Sequence, residues 1–249
     1  MKRTTIIAAV LAAFAATPAG AADFAMKAAA PAMAAYNWTG FYLGVTAGGG
    51  LQNTVIDDKD CNLSCNSLNM SKAFGSFGGT LGYNYQFGHG VLGIEGDANW
   101  TNYSDTLVDP DWARQRGSFH SVKSDWYATV RARFGVALDN VLVYGTGGAA
   151  FVDRQVIGRS STTGVCGGHC FSIDETTVGV VGGVGAEYMI AGPWSAKVEY
   201  LHIMTPTKRV RDLDPSAALS AANQYAATTS IDIVRAGINY RFGGPAARY

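Results

Sequence analysis

The stretch DWYATVRARFGVAL, residues 125–138, decides the fold. Every second residue forms an apolar set: Trp126, Ala128, Val130, Ala132, Phe134, Val136 and Leu138. The other set, Asp125, Tyr127, Thr129, Arg131, Arg133, Gly135 and Ala137, holds an acid and two arginines. Successive side chains on a strand point to opposite faces, so the run reads as a β-strand with one apolar and one polar face. Periodicity does not say which face is wet. A soluble strand wets its outside; a membrane-barrel strand wets its inside.

The same alternation recurs. Strands are predicted over 39–50, 74–87, 91–103, 125–138, 141–153, 176–190, 194–204 and 229–242. Short turns at Gly88-His89-Gly90, Asp139-Asn140 and Ala191-Gly192-Pro193 alternate with long polar connections at 51–73, 104–124, 154–175 and 205–228. Short turns at one end and long loops at the other, on an even strand count, are the pattern of bacterial transmembrane barrels. Each strand has at least the ~9 to 11 residues needed to cross. The expected fold is therefore all-β, an eight-stranded antiparallel up-and-down transmembrane barrel, with the long loops outside and both termini periplasmic.

Side-chain content separates this from a soluble barrel, which keeps its apolar residues inside. The apolar faces carry aromatics near the strand ends: Phe41, Phe87, Trp100, Trp126, Tyr188, Trp194, Tyr240 and Phe242. These read as interfacial girdles of a lipid-facing band, and a narrow soluble barrel has no room for them inside. The opposite faces place Glu95, Asp97, Arg131, Arg133, Glu187, Lys197, Glu199, Arg235 and Arg241 in the lumen. Side chains largely fill an eight-stranded interior, and charges there must be paired. The set is expected to be a charge-paired plug with at most limited passage of small solutes. A small-solute porin with an arginine ladder is the alternative.

The chain has 249 residues, a formal net charge of +0, 15% charged residues and 31 glycines. That neutrality removes the electrostatic case for nucleic acid. The N-terminus, MKRTTIIAAVLAAFAATPAGAA, has a basic start, an apolar core and small residues at Ala19, Gly20 and Ala21, as a secretory signal requires. Cleavage near residue 22 would remove Lys2 and Arg3 and no acid. That leaves 17 basic and 19 acidic residues, a net −2. Residues 23–37 read as an Ala- and Pro-containing periplasmic linker, 38–243 as the barrel, and 244–249 as a short periplasmic tail, too short for a further domain.

Export puts Cys61, Cys65, Cys166 and Cys170 in an oxidising compartment, where closely spaced pairs favour disulfides. The pairing is open. A zinc site including His169 is the sharper alternative, but its ligands would come from two segments rich in Gly, Asn and Ser. No metal or cofactor is expected. Enzyme activity is not expected either. His202-Ile203-Met204 lacks the hydroxyl of a His-x-Ser pair, and Asp105, Asp109 and Asp111 beside His120 read as solvated loop acids. The glycines Gly179, Gly182, Gly183 and Gly185 do not have phosphate-loop spacing and read as room for lumen side chains.

Tyr36-Asn37-Trp38-Thr39-Gly40-Phe41-Tyr42, Lys197-Val198-Glu199-Tyr200-Leu201 and the run from Val234 to Gly243 resemble the first, seventh and last strands of small outer-membrane proteins of alphaproteobacteria. Those porin-family or immunogenic surface proteins are built on an OmpA-type eight-stranded barrel. The resemblance covers the chain from signal to final strand. It implies outer-membrane lipid, lipopolysaccharide and the barrel-assembly machinery as partners, with a host or surface ligand left unspecified. Basic loop residues such as Lys208, Arg209 and Arg211 would meet lipopolysaccharide phosphates. Haemin binding, which it also permits, would need an axial ligand such as His120 or His169. In such barrels an aromatic ending the last strand is also the C-terminus and is read during assembly. Here Phe242 is followed by GGPAARY, so Phe242 and Tyr249 both qualify.

Overall fold

Backbone N–H and C=O groups find no water in hydrocarbon, so strands can cross a membrane only in a closed ring. A computed structural model describes residues 36–58, 68–109, 118–159, 170–211 and 224–242, and the ring closes. The elements are β1 (Gly40–Asp58), β2 (Leu68–Phe87), β3 (Gly90–Asp109), β4 (Ser118–Leu138), β5 (Val141–Arg159), β6 (Cys170–Ala191), β7 (Trp194–Met204), β8 (Lys208–Arg211) and β9 (Gln224–Phe242). From β1 to β7 each pairs antiparallel with the next, β7 and β8 both pair antiparallel with β9, and β1 pairs with β9 from Phe41↔Phe242 to Asp58↔Tyr225. β7 and β8 lie in succession along β9, facing Ser230–Tyr240 and Gln224–Ala227. They form one stave, interrupted at residues 205–207. Pro206, which has no N–H to give a ladder, sits in the break. The nine segments thus make eight staves.

Two-residue turns join the staves at one end, here the short-turn end. Gly88, Asp139 and Gly192 take positive φ there (60°, 52° and 54°). Asp tolerates this region better than most side chains.

The strands run further than expected at the opposite, loop end. Except for β7 and β8 they have 19 to 22 residues. The long connections predicted at 51–73, 104–124, 154–175 and 205–228 are therefore strand over much of their length. The cause is an inversion of pattern. Between Leu138 and Trp126 on β4 the outward set is apolar and the inward set polar. Beyond it, outward Lys123, Asp153, Gln155 and Asp174 face inward Val122, Val152, Val156 and Ile173. Along β4 the lipid-facing run is about twelve steps of ~3.3 Å, which at a tilt of ~45° spans about 28 Å, the height of a hydrocarbon layer. Past that height the barrel stands in water and takes the ordinary soluble pattern. An apolar interior forms there from Ile56, Met70, Phe74, Val122, Phe171, Ile173 and their neighbours.

Bulges mark the crossover, where β3 shifts register between Trp100 and Tyr103, and β4 shifts against β5 between Lys123 and Tyr127. Ser124 and Tyr127 both point inward as a result. Asp125, which unbroken alternation assigns to the inner face, stands instead at the surface, its side chain 47% exposed and 2.6 Å from Lys123 Nζ.

Candidate functional site

The lumen inside the lipid-facing band is a network of buried charges. Glu95 and Asp97 come from β3, Arg131 and Arg133 from β4, Glu187 from β6, Lys197 and Glu199 from β7, and Arg235 from β9. Direct pairing across the ladders sets Glu95 opposite Arg131, Glu187 opposite Lys197, and Glu199 opposite Arg235. All eight are nearly inaccessible.

Glu95 is the hub. It accepts from Arg131 on one oxygen; on the other it accepts from Lys197 Nζ at 2.9 Å, Tyr42 OH at 2.7 Å and Arg133 Nη1 at 3.4 Å. Asp97 takes the two-pronged contact of Arg235 at 3.1 and 3.0 Å, together with Thr129 Oγ1 at 2.6 Å and Arg131 Nη2 at 2.9 Å. Such fork contacts are among the strongest hydrogen bonds available to a carboxylate. Glu199 accepts from Arg235 Nε at 2.9 Å and Tyr144 OH at 2.8 Å. Glu187 accepts from Arg133 Nη2, Asn239 Nδ2 and Ser195 Oγ.

Two tyrosines, absent from the charge pattern read in the sequence, hold Arg133. Its guanidinium lies 3.7 Å from the Tyr144 ring centroid and 5.5 Å from that of Tyr42. Both rings rest where a neighbouring strand has glycine. A Cβ on Gly82 would meet Tyr42 Cζ at 2.3 Å, and one on Gly185 would meet Tyr144 Cζ at 2.5 Å. Inward parity with an inward glycine alongside is the signal that marks such a tyrosine. With Tyr42 on β1 and Tyr144 on β5, seven of the eight staves contribute to the network.

Apolar layers close it on both sides. Toward the short turns lie Trp38, Val91, Ala137, Leu142, Tyr144 and Met189, with Tyr36 against them. Toward the loops lies the apolar interior beyond the band. Arg241 stands apart from the network at the short-turn mouth, stacked on Tyr36 and Trp38 at 4.9 and 4.7 Å. Arg154 is a further buried inward base, in the loop-end interior, bonded to Ala227 O and 3.5 Å from Glu175. It falls where the long loop at 154–175 was expected.

On the outer wall, Phe41, Phe87, Tyr188, Trp194 and Phe242 are exposed toward the short turns, with half-buried Tyr240 between Trp194 and Phe242 at 5.0 Å from each. Trp100 pairs with half-buried Trp126 toward the loops, and Phe77 stacks on Trp100 at 5.6 Å. The outer wall past the band is charged. Lys208 Nζ lies 2.6 Å from Glu175 and holds its carboxyl below the usual glutamate range; Asp125 raises the Lys123 ammonium in the same way. His202 Nδ1 and Tyr200 OH converge on Asp232 Oδ1 at 2.7 Å each.

His120 is buried on β4 rather than set on a loop, and Asp105 is on β3. His169, Asp111, Cys61, Cys65 and Cys166, the side chains of Cys170 and Asp109, the signal and linker through residue 35, and the tail from 243 lie outside the described residues.

A closed eight-stave ring with an apolar outer belt, aromatic rims and a salt-bridged interior defines an integral outer-membrane barrel. The chain belongs to the outer membrane protein beta-barrel domain family, whose profile matches residues 6–242. It is 33% identical over 251 residues to the 31 kDa outer-membrane immunogenic protein of Brucella melitensis, covering 96% of this chain and 99% of that one. It is 30% identical over 173 residues to the 22 kDa outer membrane protein of Rhizobium leguminosarum, covering 69% and 66%. Among solved structures, Neisserial surface protein A is 11% identical over 82% of this chain and 98% of its own, with a TM-score of 0.40.

Proposed function

We propose that this protein is a non-conducting surface barrel that supports envelope integrity and surface interactions, exported by a cleaved signal, with its loop end outside and its termini in the periplasm. The carrying observation is the lumen: four acids and four bases, buried and mutually bonded, stacked between two apolar layers. An ion crossing it would have to part pairs whose separated charges are very costly to bury. Refolded protein in planar bilayers is expected to give no steady conductance. Large, stable single-channel steps would overturn the reading and restore a small-solute porin.

The surface role rests on the loop end. Lys72, Lys123, Lys208 and Arg209 are exposed just beyond the apolar band, the height at which lipopolysaccharide phosphates would meet them. The relative named an immunogenic protein supports display of this end to a host. The proposed activity is binding rather than catalysis. Lipid A shortened on overexpression, seen by mass spectrometry, would overturn that.

A further inference from the structure

Among the described residues, the short-turn end of the lumen holds a cation without a matching anion. Within the network, Glu95, Asp97, Glu187 and Glu199 balance Arg131, Arg133, Lys197 and Arg235. Arg241 is the fifth base, and it is buried, only 3% exposed. Its Nη1 is used at 2.8 Å by Tyr36 OH and at 3.1 Å by Asn37 O. Its Nε and Nη2 are buried and meet no acceptor among the described residues. Those two N–H groups form the parallel fork that fits a carboxylate or similar anion. Glu187, whose field reaches Arg241, already has both oxygens occupied by Ser195, Asn239 and Arg133.

Other donors at this height are unmatched as well: Trp38 Nε1, Arg133 Nε and Asn84 Nδ2. Register puts them together, since Asn84 pairs with Gly40 and Gly93, Gly93 with Arg133, and Tyr42 with Arg241. Among the described side chains here, the unmatched acceptors are the two amide oxygens of Asn84 and Asn239, so unmatched N–H donors outnumber them. Water would satisfy those N–H groups and leave the buried charge standing; an anion answers both.

We propose that the short-turn layer binds a compact monovalent anion, of halide or small-carboxylate size, on the Nε–Nη2 fork of Arg241, with Trp38 Nε1 as a further donor. Arg241 also holds Tyr36 and Asn37, so the bound anion ties the N-terminal segment to β9 and fastens the closed mouth.

The full chain, refolded in detergent, is melted in sodium chloride and in sodium gluconate at equal ionic strength. Chloride is expected to raise Tm by about 3 °C or more, and Arg241→Gln to abolish the difference. Trp38→Phe keeps an aromatic ring, smaller than the indole, and removes the N–H, and is expected to raise the chloride midpoint several-fold. Crystals grown in bromide are expected to show an anomalous peak at the fork. Coincident wild-type melts, a salt difference retained in Arg241→Gln, or ordered water with no anomalous signal at Arg241 would each overturn the site. If Arg241→Gln does not fold, an unchanged chloride midpoint in Trp38→Phe overturns it alone.

Discussion

Lys197 on β7 and Glu95 on β3 share no ladder, yet they are joined across the lumen by an ion pair of 2.9 Å. Strand pairing fixes neighbours; this contact fixes opposite walls. Glu95→Gln keeps the shape and removes the charge on which Arg131, Arg133 and Lys197 converge. Breaking one partner of a buried pair costs about 3–5 kcal/mol because the others are left uncompensated. Urea unfolding in lipid vesicles is expected to show a loss of that order. The Glu95→Gln/Lys197→Met double variant should lose less than the sum of the single changes, the signature of a shared contact. Additive losses would mean the pair does not tie the walls.

The tyrosine seats make a second prediction. Gly185→Ala puts a methyl where the Tyr144 ring lies, while the peptide itself faces no backbone obstacle among its nearest contacts. The ring must move, and with it the Glu199 hydrogen bond and the face beneath Arg133. Overpacking of this kind costs about 1–3 kcal/mol. Tyr144→Phe in the same background should restore only part of the loss, because the ring edge (Cζ at 2.5 Å, Cε2 at 2.9 Å) meets the methyl as well as the hydroxyl at 2.6 Å. Full rescue by Tyr144→Phe would refute the seat.

How far the sequence carries the architecture is visible on β4. Parity alone puts Arg131 and Arg133 on one face and Val130 and Phe134 on the other, because the pleat has period 2. Parity does not carry across a bulge, so Asp125 is misassigned. It also does not announce that the apolar set changes sides above the band, so the loop-end halves of the strands read as loops. The partners of each lumen charge depend on register and on contacts across the lumen, such as Lys197–Glu95, which no local pattern encodes. Tyr42 and Tyr144 are legible only together with Gly82 and Gly185 on adjacent strands. Trp38 precedes the first strand, where alternation has nothing to say.

The sidedness of the band predicts opposite tolerance at adjacent positions. Ala132 faces outward at mid-band, opposite Ile94 and Gly147, while Arg131 beside it is fully inward. Ala132→Arg sets a guanidinium against hydrocarbon, which costs about 2–4 kcal/mol near the midplane. The same change at outward Gln155, beyond the band, should cost little. Unfolding in vesicles of defined lipid is the measurement. Equal penalties at both positions would displace the band from where its aromatics put it.

At the loop end, acid should loosen one seam. Beyond Val180, among the described residues, β6 is laddered only to β5, and the Glu175–Lys208 contact at 2.6 Å links it to β8. Glu175 lies past the apolar band, and the Lys208 ammonium lowers its pKa. A carboxyl with a depressed folded-state pKa contributes stability that is complete above its ordinary range and disappears as pH falls through the lower folded value. Lys208 is about half exposed, so the contribution is small and screened by salt. The expected readout is therefore local: a Glu175 carboxyl titrating below the ordinary glutamate range by 13C NMR, with β6 and β8 amide shifts following it. Glu175→Gln should remove that acid transition and leave the global unfolding midpoint near wild type. A Glu175 carboxyl that titrates at the ordinary value would show that the seam is held by something other than this pair.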